Sequence, residues 1–252
     1  MKHLFKPTRS LTGVLICVAA LLVALSGVSA QTPQEQENPA HDSFLKSHQA
    51  GVRLGGWSNQ GALPLDSVPD IQGGYYRNDI AAGSFYLEGF LGYRLNRFLM
   101  LELSLGLVSR GDVYLVEGTG GSSIGTLQLY PILAKLKVYP FPRAVAGIYP
   151  YVVGGGGFYY GRHDIQFVTG IDAYYRAEFG QTSQTDFNYV VGGGADWPVA
   201  SVVAIDLNAQ YMAVKFSENL IGVRDYSSFT VTVGVKYLFT RMQKQKHPNR
   251  PY

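Results

Sequence analysis

Residues 98 to 110, FLMLELSLGLVSR, place a leucine at every second position. Leu99, Leu101, Leu103, Leu105 and Leu107 share one face of an extended chain. Met100, Glu102, Ser104, Gly106, Val108 and Arg110 share the other. A period of two marks a strand with two chemically different faces. Seven further runs read the same way: 48–57, 83–95, 125–139, 148–161, 185–197, 201–214 and 227–239. In 227–239, Phe229, Val231, Val233, Val235, Tyr237 and Phe239 alternate with Thr230, Thr232, Gly234 and Lys236. In 125–139 the alternation slips near Pro131. Leu127 and Leu129 share one parity; Ile132, Ala134, Leu136 and Val138 share the opposite one. A bulge near Pro131 is the expected cause.

Residues 144–161 carry no charge, yet Pro150 and the run Gly154 to Gly157 make them a poor helix. They fit a strand of a small barrel better. The connections between runs are lopsided. Asn96-Arg97, PFPRAVAG and PVA join alternate pairs, whereas the other connections are about 25, 14, 23 and 12 residues long. In an up-and-down meander, alternate connections lie at the same end. The pattern therefore predicts an all-β chain: an eight-stranded antiparallel up-and-down transmembrane β-barrel with short periplasmic turns and four longer extracellular loops. Strands of about ten residues tilted by about 40° span roughly 25 Å, the height of a lipid-facing band. A closed barrel also leaves no backbone group unpaired in lipid. Tyr93, Tyr139, Tyr149, Trp197, Tyr211, Tyr237 and Phe239 lie near strand ends, where an aromatic girdle is expected. A soluble barrel of lipocalin type would alternate equally well, with the leucines inside. Loop asymmetry and the strand-end aromatics favour lipid.

The 18 Tyr, 13 Phe and 30 Gly support the all-β reading. The start of the chain reads separately. Lys2, Lys6 and Arg9 precede the apolar run LTGVLICVAALLVALSG, and Val28-Ser29-Ala30 follows. These are the parts of a secretory signal peptide over 1–30. Cys17 is the only cysteine and lies within that run behind Ile16, so neither lipidation nor a disulfide framework is expected. Residues 31–46, with Pro33 and Pro39, read as a flexible periplasmic lead-in, 47–239 as the barrel and 240–252 as a basic periplasmic tail. The tail holds Arg241, Lys244, Lys246 and Arg250 and no acid. Basic residues neither cluster on an element nor interleave with aromatics, so no nucleic-acid partner is expected.

The last strand carries Thr232, Gly234, Tyr237 and Phe239 in the order polar-x-Gly-x-x-aromatic-x-aromatic. It resembles the C-terminal signal by which outer-membrane barrels are recognised for assembly, although thirteen residues follow Phe239 here. A Tyr-Pro-(apolar)-Ala-Lys strand and Tyr149-Pro150-Tyr151 with its glycine run extend the likeness. Over 47–239 the chain resembles the small eight-stranded outer-membrane barrels of OmpA, OmpX and OmpW type. The resemblance implies the fold and a place in the bacterial outer membrane. It does not imply one activity, because that group holds adhesins, structural proteins, small-molecule conduits and a few enzymes.

The polar faces carry Arg53, Glu88, Arg94, Glu102, Lys135, Lys137, Asp196, Asp206 and Lys236. An eight-stranded barrel is just wide enough for side chains to fill it. The expectation is therefore an interior polar network that plugs the lumen, with a polar conduit as the rival. His163, beside Asp164 in GRHDIQ, is the one histidine at the outer rim, and the candidate residue if the barrel were a lipid A–modifying enzyme. A solvated loop histidine is the plainer reading. Arg110-Gly111-Asp112 spells an integrin-type tripeptide at the start of the second long loop, and Tyr75-Tyr76, Tyr174-Tyr175 and Phe179 place aromatics on the loops. No nucleotide motif, metal or cofactor site is read. The expectation is a monomeric, non-enzymatic barrel with an envelope structural or surface-interaction role. Its partners would be outer-membrane lipid and lipopolysaccharide, the assembly machinery and an unidentified extracellular ligand. The alternative is an OmpW-like conduit for small apolar solutes.

Overall fold

The computed structural model describes residues 44–61, 68–69, 75–117, 120–141, 143–165, 183–220 and 223–239. The signal-peptide reading, most of the lead-in, Tyr174, Tyr175, Phe179 and the basic tail lie outside the described residues. In chain order the strands are β1 (His48–Asn59), β2 (Val68–Pro69), β3 (Tyr75–Ile80), β4 (Gly83–Arg94), β5 (Leu99–Glu117), β6 (Gly120–Val138), β7 (Tyr149–Ile165), β8 (Ser183–Ala200), β9 (Val203–Ala213), β10 (Lys215–Leu220), β11 (Val223–Asp225) and β12 (Ser228–Phe239). Eight of them close a ring: β1–β4–β5–β6–β7–β8–β9–β12, with β12 pairing back onto β1. Every pairing in the ring is antiparallel, so the barrel has no free edge.

The leucine face points out. Leu103 is 55% exposed and Leu105 59%, while Glu102 between their neighbours is fully buried. The same holds around the ring, where Val52, Leu87, Leu91, Leu136, Val191, Leu207 and Val233 all face outward. A soluble core would require the reverse, so the outer surface is built for lipid. On β5 the outward apolar run ends at Leu107, and outward Ser109 follows. Nine residues at about 3.3 Å each, tilted by about 40°, rise roughly 23 Å. Ser58, Gln128, Arg162 and Thr185 mark the same change of surface on β1, β6, β7 and β8.

Two features differ from the sequence pattern. The second long connection is not a loop. β5 and β6 run on as a hairpin, paired from Leu99↔Val138 to Glu117↔Gly120, with only 118–119 between them. At 19 residues each they outreach the lipid band and stand clear of it. β3 pairs with the outer part of β5 where β4 stops. Nor does β6 bulge near Pro131. Its pairing with β7 is unbroken from Gly125 to Val138. Leu127, Leu129 and Leu133 therefore all face the interior. The β5–β6 register shifts instead at two places farther out, between Ser109 and Gly111 and between Val113 and Tyr114, with Gly111 at a positive φ of 122° that a glycine tolerates.

The turn end is tightly made. β6 and β7 are joined through a Val145↔Ile148 bridge with Ala146 at φ 52° and Gly147 at φ 80°. Two successive positive φ values are the geometry that suits the twist of a hairpin. Of the expected girdle, Tyr93, Trp197, Tyr237 and Phe239 face outward and Tyr211 is half-buried on the outer face. Tyr139 and Tyr149 instead turn inward and are buried. Each is needed to fill the periplasmic end of the lumen, as described next.

Candidate functional site

The lumen is filled in three layers. At the turn end Phe44, Met100, Tyr139, Tyr149, Tyr151 and Leu238 form an apolar cluster. Phe44 precedes β1 and folds inward, stacked on Tyr149 at 4.7 Å and edge-on to Tyr139 at 6.1 Å between ring centroids. The Arg94 guanidinium lies over the rings of Tyr139, at 4.4 Å, and Phe44, at 5.3 Å. Arg94 thus belongs to this lower layer, held by cation–π contacts rather than by an acid.

The middle layer is ionic. Arg53 reaches three acids: Glu88 at 2.8 Å, Glu102 at 2.6 Å, and Asp206 through its Nε. Lys135 bridges Glu88 at 2.6 Å and Glu102 at 3.0 Å. Lys137 pairs with Glu102 at 2.8 Å. Lys236 pairs with Asp196 and lies 3.3 Å from Asp206. All eight side chains are fully buried. Strand register builds this layer directly: Arg53 stands opposite Glu88, and Glu102 opposite Lys135. Asp196 also stands opposite Asp206. That like-charged pair is tolerated because Lys236 sits between them, while Tyr139 donates to Asp196 at 2.8 Å and Tyr151 donates to Asp206 at 2.7 Å. Gly234 makes room for Arg53: a Cβ there would lie 2.7 Å from Arg53 Cγ.

The third layer, toward the loops, is apolar again: Trp57, Tyr86, Val108, Leu127, Leu129, Tyr159, Val190, Met212, Phe216, Leu220, Val223 and Tyr226. The hairpin β10–β11 covers it, and contributes Phe216, Leu220 and Val223. Inside this layer lies Arg110, which the sequence placed at a strand end. It is fully buried, 5.7 Å above the Trp57 ring. The integrin-type tripeptide is therefore not displayed; Arg110 is a lumen residue, and it is the one that the register of β5 with β6 skips between Ser109 and Gly111. Parity alone could have found it, since Arg110 continues the series Met100, Glu102, Ser104, Gly106 and Val108.

His163 also faces inward, buried on β7 opposite Leu127, and is not a solvated loop residue. Burial pushes the Tyr226 phenol above its ordinary range, and its hydroxyl donates to the Leu220 carbonyl. Among the described residues no three His, Cys, Asp or Glu side chains are grouped to hold a metal ion. On β12, Thr232 and Gly234 face the lumen, while Tyr237 and Phe239 face outward with their rings stacked at 6.4 Å.

An eight-stranded meander with an apolar exterior and an ionic lumen is the architecture of a small outer-membrane barrel. The chain belongs to the outer membrane protein beta-barrel domain family, whose match covers residues 19–239. Among solved structures it is similar to the outer membrane protein OprG from Pseudomonas aeruginosa. The identity is 17%, over 78% of this chain and 98% of that one, with a TM-score of 0.51. It also matches Neisserial surface protein A at 16% identity over 77% and 96% of the two chains, with a TM-score of 0.48. The outer membrane protein AlkL matches at 12% identity over 86% and 100%, with a TM-score of 0.44. No curated protein matches the sequence. The family and fold place the chain in the bacterial outer membrane.

Proposed function

We propose that this barrel is a non-enzymatic envelope protein, acting in structure or surface interaction through its extracellular hairpin and loops. The observation that carries this is the closed lumen. Four cations and four acids, all fully buried and mutually paired, span the middle of the barrel. A through-path would have to break that layer, and stripping one partner from a buried pair costs about 3–5 kcal/mol. His163 faces the lumen rather than the lipid, which counts against a lipid-modifying role. What remains for contact from outside is the β5–β6 hairpin, extended by β3, and the loops around it. In this reading the barrel is a monomer set in lipid and lipopolysaccharide, and β12 is the strand that the assembly machinery recognises through Thr232, Gly234, Tyr237 and Phe239. The test is single-channel recording in planar bilayers together with mass spectrometry of lipid A from cells with and without the protein. The reading predicts no stepwise conductance and unchanged lipid A. Stable conducting steps would favour the conduit, and a new lipid A species an enzyme.

A further inference from the structure

The turn end of the barrel presents one sign of charge. Lys46 stands just ahead of β1, Arg97 in the β4–β5 turn and Arg143 in the β6–β7 connection, and all three are exposed. They are spread round the rim, because β1, β4, β5, β6 and β7 follow one another in the ring. Among the described residues no acid is exposed at this end; Asp196, near the end of β8, is fully buried in the ionic layer. At the loop end the signs are mixed. Asp186, Glu218 and Asp225 stand there with Lys215 and Arg224, and Lys215 lies 3.6 Å from Asp225. Nor do the sequence ends cancel the rim: Glu35, Glu37 and Asp42 precede β1, but Arg241, Lys244, Lys246 and Arg250 follow β12.

These cations border the lipid-facing band. Beside Arg97, the side chains of Tyr93, Leu95 and Phe98 are exposed. The Arg97 guanidinium lies 4.9 Å over the Phe98 ring, so its stem lies along that apolar surface. Lys46 is two residues from His48, whose ring stacks on outward Tyr93 at 4.6 Å. The β4–β5 turn is also held close to the wall. Leu95 N and Asn96 N both donate to the Leu99 carbonyl, and Asn96 Oδ1 accepts from Phe98 N at 2.8 Å and Leu99 N at 2.9 Å. Arg97 is thereby fixed at the level where the apolar band ends, too close to it to serve as an arm reaching into the periplasm. Aromatic and apolar side chains edged by cations match a lipid interface, where rings and stems stay with the acyl chains and the charge meets the phosphates.

We propose that this rim binds the headgroups of anionic phospholipids in the periplasmic leaflet, with Lys46, Arg97 and Arg143 as the contacts. It concerns the opposite end of the barrel from the surface role, and either can fail without the other. The test places the full mature chain in phosphatidylcholine vesicles with a trace of spin-labelled phosphatidylglycerol, or of phosphatidylcholine labelled at the same acyl carbon. The fraction of each label slowed by the barrel gives their relative association. The expected result is a preference of about twofold or more for phosphatidylglycerol at low salt. It should fall toward one in about 1 M NaCl, where the screening length is about 3 Å. A chain carrying Lys46→Gln, Arg97→Gln and Arg143→Gln, with its basic tail intact, should lose the preference while still changing gel mobility on heating. Equal association of the two lipids with the parent barrel, or a preference that salt leaves unchanged, would overturn the proposal without recourse to the variant. A folded triple variant that kept the preference would overturn it too, by moving the contact from the rim to the tail.

Discussion

At the scale of single residues, the decisive fact is which charges are paired. Lys236 holds apart two carboxylates that face each other across β8 and β9. Lys236→Met should destabilise the barrel by about 3–5 kcal/mol, because it leaves Asp196 and Asp206 opposed. Urea unfolding in phosphatidylcholine vesicles, followed by tryptophan fluorescence, measures this; a loss below about 1 kcal/mol would mean the pair is relieved by other contacts. Ala146 gives a smaller effect of opposite sign. Its φ of 52° is a left-handed conformation that costs a side chain energy, so Ala146→Gly should be neutral or stabilise by about 0.5–1 kcal/mol in the same assay. Much of this scale was legible in the sequence. Strand parity placed Arg53, Glu88, Glu102, Lys135, Lys137, Asp196, Asp206 and Lys236 on polar faces, and the structure gathers all eight into one network. Tyr139 and Tyr149 were not legible, because a tyrosine near a strand end serves equally well in a girdle or, with its hydroxyl satisfied, in a lumen. Phe44 was hidden by the polar, proline-containing residues before it. Nothing in a one-dimensional pattern says that a residue ahead of the first strand will turn into the lumen.

At the scale of elements, β5 is the measuring rod. Its outward leucines run from Leu99 to Leu107, with Leu103 at the centre. Leu103→Arg should therefore cost about 2–4 kcal/mol in vesicle refolding, whereas the same change at outward Ser109 should cost close to nothing. Comparable losses at both sites would mean that the lipid boundary is misplaced. The outer part of the β5–β6 hairpin lies beyond that boundary. Removing residues 114–123, which pair from Tyr114↔Ser123 inward, should leave a barrel that still changes gel mobility on heating. If that shift disappeared, the hairpin would be part of the barrel's stability rather than a projection from it. The sequence pattern placed all eight strands but under-read these two. Beyond Ser109 the outward positions turn polar because lipid ends there, and a polar stretch of strand reads as a loop. The slip at Pro131 misled for a related reason. Leu127 and Leu129 are apolar and inward because the upper lumen is apolar, not because the strand turns over.

At the scale of the whole molecule, the layers explain one another. An exterior that must satisfy lipid leaves the lumen to hold the charges at the depth of the apolar band, and an eight-stranded lumen is narrow enough for those charges to meet. Apolar layers above and below keep water from the ion pairs, which strengthens them. The most direct test of this arrangement uses the two native tryptophans. Trp197 is 54% exposed on the outer face and Trp57 is buried in the lumen. In vesicles of brominated phosphatidylcholine, the Trp57→Phe barrel, which reports Trp197, should be strongly quenched. The Trp197→Phe barrel, which reports Trp57, should be nearly unaffected. Trp197 emission that brominated lipid leaves untouched, or quenching of Trp57 to the same depth, would contradict an outward lipid-facing surface around a closed lumen.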